Sequence, residues 1–215
     1  MFPPGAASLV TASNLNTSLK AAVRVDNFRA SEITIGGVRI SAADISGVVT
    51  SVGYFLPQEF YYIEPADRDY VCSEVRAFFI YFLSELRCRK LNPPAPKTLS
   101  GLGLHRIEWM KAAYAGGIPV WPSRLKNGEL VKGDEQPLRR VRATIIGETI
   151  IEDGTPEHVR EYVGTLSRMF AMPYLCADFA SPREGEYFLA ELWSVPDITV
   201  AANREAVVRF MRRSA

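Results

Sequence analysis

Two kinds of apolar pattern share this chain, one with a period of two and one with a period near 3.6. In "EITIGGVRI", residues 32–40, Ile33, Ile35, Val38 and Ile40 alternate with polar neighbours around Gly36-Gly37, the pattern of a β-hairpin. "AAVRV" (21–25) and "GVVTSVGYF" (47–55) read as further strands. From Pro65 to Arg89 the period changes. Val71, Val75, Phe78, Phe79, Phe82 and Leu86 recur at steps of three and four, so a helix with one buried aromatic face is expected there. "KLNPPAPKTLSG" ends it, because its prolines cannot continue a helix. A second helix is expected over 100–115, stopped by Gly116-Gly117.

The second half repeats the alternation. "RLKNGELVKGDEQ" (124–136) reads as a hairpin around Asn127-Gly128. "RRVRATIIGETIIEDG" reads as two strands turning at Gly147-Glu148. A helix over 156–170 would take Thr155 as its cap and point Val159, Val163, Leu166 and Phe170 inward. Two apolar strands come next within "YLCADFASPREGEYFLAELWSVP" (174–196), then a last helix over 203–213. Strand, strand, helix, strand, strand over 140–195 is a compact α+β unit.

Composition narrows the classes. An apolar share of 47% and a charged share of 23% in 215 residues fit a globular protein with a core of its own. Lys plus Arg (25) balance Asp plus Glu (24), which leaves no basic field for nucleic acid or an anionic membrane. Cys72, Cys88 and Cys176 lack paired spacing, which fits a reducing compartment and no zinc site. "MFPPGAASLV" lacks the marks of a signal peptide, and "VRAFFIYFLSEL" is too short to span a bilayer. The expectation is a cytoplasmic protein with neither membrane nor nucleic-acid partners.

The chemistry lies in the closing strands, where each apolar run carries one acid, Asp178 and Glu191. A carboxylate in such a strand is costly without a partner, so a cation should face each. The plainer reading pairs Asp178 with an arginine such as Arg142, and Glu191 with Arg183 or Arg168. The other makes the two acids a metal-holding pair.

Several stretches resemble the ATP-grasp enzymes. "RCRKLNPPAP" followed by a helix and "AAYAGGIPVWPS" is similar to that superfamily's strand–Asn-Pro–helix–"G(I/L)P.P" run. "VRATIIGETIIEDG" is similar to its "R…V.G" strand pair, and "MPYLCADFASPREGEYFLAELWSVP" to its closing hairpin. The best match is the RimK-like branch and the ligases that form macrocycles in ribosomal peptides, over residues 45–122 and 140–196. The resemblance implies an α/β (α+β) fold. A leader (1–20) precedes an N-terminal pre-ATP-grasp-like α/β domain (21–122); a short hairpin linker (123–139) and an ATP-grasp C-terminal-like domain (140–215) complete the chain. It implies ATP-driven activation of a carboxylate with Mg²⁺ bridging the phosphates. In that scheme Asp178 and Glu191 hold the metal, and Arg142 contacts phosphate. Lys97, beside the expected start of the second helix, is a further anion-binding candidate.

Two departures weigh against that chemistry. The family's closing Glu-x-Asn reads Glu191-Leu192-Trp193 here, and an indole has no lone pair to offer Mg²⁺. Between Pro122 and Arg140 there is room for one hairpin, where the family places a lid lobe over the nucleotide. The first reading is therefore a degenerate, non-catalytic ATP-grasp-like protein with no cofactor, a binding or regulatory partner of a full-length ligase or of a peptide or protein substrate. The alternative is a minimal ATP- and Mg²⁺-dependent carboxylate-amine ligase whose site is completed by another subunit, as in a homodimer. Trp193 and Trp121, with Tyr187 and Phe188, are the aromatic candidates for filling the vacated pocket or docking a partner.

Overall fold

The computed structural model describes residues 11, 20–126, 129–132, 137–152 and 154–212. The rest of the expected leader and the Asn127-Gly128 turn lie outside them. The chain divides into two compact units, residues 1–101 with 211–215, and residues 102–210.

In the first unit, β1 (Lys20–Ala22), β2 (Glu32–Ile35) and β3 (Val38–Ser41) form an antiparallel sheet in that order. Gly36 and Gly37 both take positive φ (+59° and +80°), as a two-residue hairpin turn of the tightest kind requires. A parallel pair, β4 (Gly47–Val49) and β5 (Arg89–Leu91), is joined through helix α1 (Arg68–Glu85). The strand expected over 47–55 stops at Val49. Farther along, the Gly53 carbonyl accepts from the Leu99 amide at 2.7 Å and the Thr98 hydroxyl at 2.9 Å, bonds to a loop in place of a sheet ladder. The aromatic stripe is core as expected: Phe79 and Phe82 are buried, as is Leu86 at the helix end. Each such burial stabilises by roughly 1.5–3 kcal/mol.

The second unit holds helix α2 (Arg106–Ala115), the hairpin β6 (Ser123–Lys126) and β7 (Glu129–Lys132), and strands β8 (Arg139–Ile146) and β9 (Thr149–Glu152). Helix α3 (Glu157–Phe170), β10 (Tyr174–Ser181) and β11 (Phe188–Trp193) come next, and helix α4 (Ala201–Arg212) closes the described chain. The four long strands pair antiparallel in the order β11-β10-β8-β9. One face of this sheet is apolar at every second position. Val141, Ala143 and Ile145 of β8 and Leu175, Ala177 and Phe179 of β10 meet Val159, Val163 and Leu166 of α3 in one core. Trp109 and Ala113 of α2 join them, so α2 packs with the C-terminal sheet, whereas the sequence reading places it in the N-terminal domain.

Two helix starts differ from expectation. Helix α2 begins at Arg106 rather than near Ser100, because Gly101 (φ +85°) and Gly103 (φ +53°) sit in the left-handed region and interrupt helical geometry. Its end is as expected, with Ile118 donating back to the Ala113 carbonyl at 3.0 Å past Gly116-Gly117. Thr155 does not cap α3. Its hydroxyl is buried without a hydrogen bond, and the Pro156 carbonyl accepts the first amides, from Val159 at 3.0 Å and Arg160 at 3.2 Å.

Candidate functional site

Opposite the helix-covered face, the alternation of β8 and β10 brings Arg142, Thr144 and Ile146 beside Asp178, Cys176 and Tyr174. Arg142 is the direct cross-strand partner of Asp178, and Asp178 of Glu191, so the three form one row across three strands. Glu191 reaches that row through a bulge. Asp178 pairs with Glu191 and Phe179 with Leu189, leaving Ala190 as an extra residue in β11. Were Ala190 an ordinary paired residue, strict alternation would put Glu191 on the same side as Leu189, inside the helix-side core.

The row is internally neutralised. Arg142 closes a fork on Asp178, its Nε donating to Oδ1 at 2.6 Å and its Nη2 to Oδ2 at 3.0 Å. The Asp178 side chain is only 13% exposed, whereas that of Arg142 is 65% exposed. Those hydrogen bonds hold the guanidinium proton more tightly than in a free arginine. Trp193 pairs with Cys176 in the next row, and its ring lies 5.1 Å from the Arg142 guanidinium carbon, a cation–π contact. The indole thus covers the arginine that covers the acid.

Glu191 has a different cation. Arg106, the first residue of α2, brings Nη2 to 3.8 Å from Oε1 and donates to the Ala190 carbonyl at 3.2 Å, so one side chain serves both the acid and the bulge. Arg183 and Arg168, the arginines expected there, make no ion pair with Glu191; the register and the packing of α2 select Arg106 instead. Only the fold reveals this residue, since nothing local in sequence joins a helix start to a strand so distant along the chain. Among the described residues no three His, Cys, Asp or Glu side chains converge as a metal-holding group. Asp178 and Glu191 are the two carboxylates of the row, and both oxygens of Asp178 already accept from Arg142.

At the buried end of the same face, Tyr174 is 1% exposed and its hydroxyl accepts from the Asp197 amide at 3.2 Å. Burial pushes its pKa up to about 12 and also raises that of the Cys176 thiol.

The remaining candidates lie elsewhere. Lys97 is exposed in the tight turn that Ala95 and Thr98 close by exchanging main-chain hydrogen bonds, and the helix expected to follow it in sequence opens only at Arg106. Trp121 is 4% exposed and packs edge-on to Phe188, at 6.1 Å, with Ala180 and Ala190. It also lines a shallow groove of about 290 Å³ with Ile107, Met110, Lys111, Tyr114 and Val120. Tyr187 belongs to the helix-side core, beside His158 at 5.4 Å, and so cannot cover the Asp178 face. Of the four aromatic candidates, Trp193 alone is exposed, at 41%.

No protein-family model matches the sequence, and a search of curated proteins finds none similar to it. Solved structures do match. The macrocyclase MdnC from Microcystis aeruginosa MRC, bound with precursor peptide MdnA, superposes with a TM-score of 0.72 at 12% identity, over 91% of this chain and 87% of that one. A RiPP-associated ATP-grasp ligase from Chryseobacterium gregarium, in complex with ADP and a leader and core peptide, matches with a TM-score of 0.61 at 12% identity, over 89% and 83%. The ATP-grasp ligase PsnB, complexed with a phosphomimetic variant of its minimal precursor, Mg and ADP, matches at 0.64 and 12% identity, over 91% and 86%. The chain has the mixed α/β fold of these ATP-grasp peptide ligases.

Proposed function

We propose that this chain is a peptide-binding relative of the ATP-grasp ligases that does not itself activate a carboxylate, and that it acts as a binding or regulatory partner in peptide modification. The carrying observation is the Arg142–Asp178 fork under Trp193. Magnesium takes oxygen ligands in near-octahedral array, and the two oxygens of Asp178 already face a guanidinium. The residue two beyond Glu191 offers an N–H in place of a lone pair. The donor set does not fit the metal. Here arginines provide the positive charge that a magnesium ion would bring to these acids.

The pair β6 and β7 supports the same reading, since among the described residues it is the only pair of strands between Trp121 and β8. A nucleotide there would lack the closed, water-excluding site that phosphoryl transfer needs. The reading rests on the site rather than on length, because the match extends over 87% of the MdnC chain. The peptide half of the proposal is supported by MdnC and the Chryseobacterium ligase, both bound to peptides.

A second reading, a minimal ligase completed by another subunit, has the adjacency of Asp178 and Glu191 in its favour. Calorimetric titration with Mg-ATP separates the two. No saturable heat is expected. Micromolar binding abolished by Asp178→Asn would establish the ligase reading and end ours.

A further inference from the structure

The groove beside α2 lies within the second unit, and three features of it point to one kind of occupant. The first is a free strand edge. Trp121 donates to the Leu189 carbonyl at 2.9 Å, and Leu189 donates to the Pro119 carbonyl at 2.8 Å, so this segment is tied to β11 through residues 119 and 121. Along an extended chain the main-chain groups of the intervening residue point the other way. Val120 accordingly turns its N–H and C=O from β11, and among the described residues neither makes a hydrogen bond. The second feature is an apolar wall. Ile107 is 39% and Tyr114 76% exposed on the α2 side, with Met110 between them and the Trp121 ring beyond. The third is charge. Lys111 lines the same groove, is exposed, and has no ion pair or hydrogen bond among the described residues.

We infer that the groove between α2 and Val120 binds an extended peptide segment through strand addition at Val120, with an apolar side chain on the Met110–Tyr114 wall and a carboxylate on Lys111. An incoming strand supplies the missing acceptor and donor to Val120, and its alternating side chains meet the wall and the lysine. On the outward side, Ile118 already donates its N–H to the Ala113 carbonyl and Pro122 has none, so the edge offers Val120's pair of hydrogen bonds. That is too short for two copies of this chain to join edge to edge, and it suits a short peptide held mainly by its side chains. The inference rests on the peptide-binding reading above and gives it a location.

The test uses the full chain and a fluorescein-labelled peptide of alternating leucine and threonine with one glutamate, followed by fluorescence anisotropy. The glutamate peptide should bind about fivefold more tightly than its lysine counterpart, the size of an exposed ion pair. Lys111→Glu should reverse that preference. Met110→Asp should remove binding while the circular dichroism spectrum is kept. N-methylating one alternate set of peptide amides should weaken binding, and methylating the other set should not. Lys111→Glu alters only an exposed side chain and so decides the matter even if Met110→Asp fails to fold. The inference is overturned if the peptide does not bind, or binds with the same affinity and preference to wild type and Lys111→Glu. Binding that Lys111→Glu leaves unchanged would overturn this location alone and leave the peptide-binding reading standing, whereas failure of the non-catalytic reading would show as Mg-ATP binding at Asp178.

Discussion

Asp178 and Glu191 stand opposite one another across β10 and β11, yet each turns to a different arginine, Arg142 from β8 and Arg106 from α2. Two like charges this close repel unless each is compensated, and here compensation comes from within the sheet and from the helix beside it. The result is a row of two acids and two arginines whose charges compensate one another.

A double-mutant cycle measures how far that row stabilises the fold. Arg142→Ala and Asp178→Ala, singly and together, should give a coupling of about 1 kcal/mol by urea denaturation, since the fork is well aligned but the arginine is largely in water. Trp193→Ala should cost about 0.5–1 kcal/mol with Arg142 present and much less in the Arg142→Ala background. A coupling near zero would mean that the fork is decorative and that Arg142 does not stand in for a metal at Asp178.

Alkaline pH tests the buried tyrosine. An unfolded chain loses the Tyr174 proton near the ordinary tyrosine value of about 10, whereas the folded protein holds it to about 12. The unfolded state therefore binds fewer protons in that window, and stability should fall as pH rises through it. Tyr174→Phe should remove this part of the decline and should also lower stability at neutral pH, by freeing the Asp197 amide. Melting temperatures measured against pH for both proteins read out the difference.

Phe179 is fully buried and stacks on Tyr162 with centroids 6.1 Å apart. Phe179→Ala should cost about 3–5 kcal/mol in chemical denaturation, through lost burial and the cavity left between α3 and the sheet.

Gly147 turns β8 into β9 at φ +62°, and a Cβ there would lie 2.8 Å from Cδ2 of Phe210. Gly147→Ala should cost about 1–3 kcal/mol in thermal denaturation, from backbone strain and the crowding of the ring together. Adding Phe210→Ala should relieve the crowding alone and leave the strain.

Much of this architecture is legible in the sequence because local rules act alone at those positions. The alternation in "RRVRATIIGETIIEDG" and the Gly147 turn specify β8 and β9, and Val159, Val163 and Leu166 mark the inner face of α3. Arg142 as a partner of Asp178 is also within reach, since an acid in an apolar strand needs a cation nearby. Arg106 is not, because its meeting with Glu191 depends on the packing of α2, which no periodicity encodes. The start of α2 escapes a sequence reading because glycines at 101 and 103 adopt left-handed backbone, a choice that residue type permits without requiring. Tyr187 escapes it for a related reason. In sequence it looks like a companion of Phe188 and Trp193, but it belongs with Phe179 and Leu189 behind the sheet.

The surplus alanine at position 190 acts as a phase shifter in the last strand. Taken into the ladder as an ordinary residue, it would rotate the rest of β11 by half a period, sending Glu191 and Trp193 toward the helices and Leu192 out to water; excised, it would leave Glu191 opposite Asp178 on a regular strand. The display of an acid beside Asp178 is therefore set by how the strand accommodates its extra residue as much as by which residues it contains.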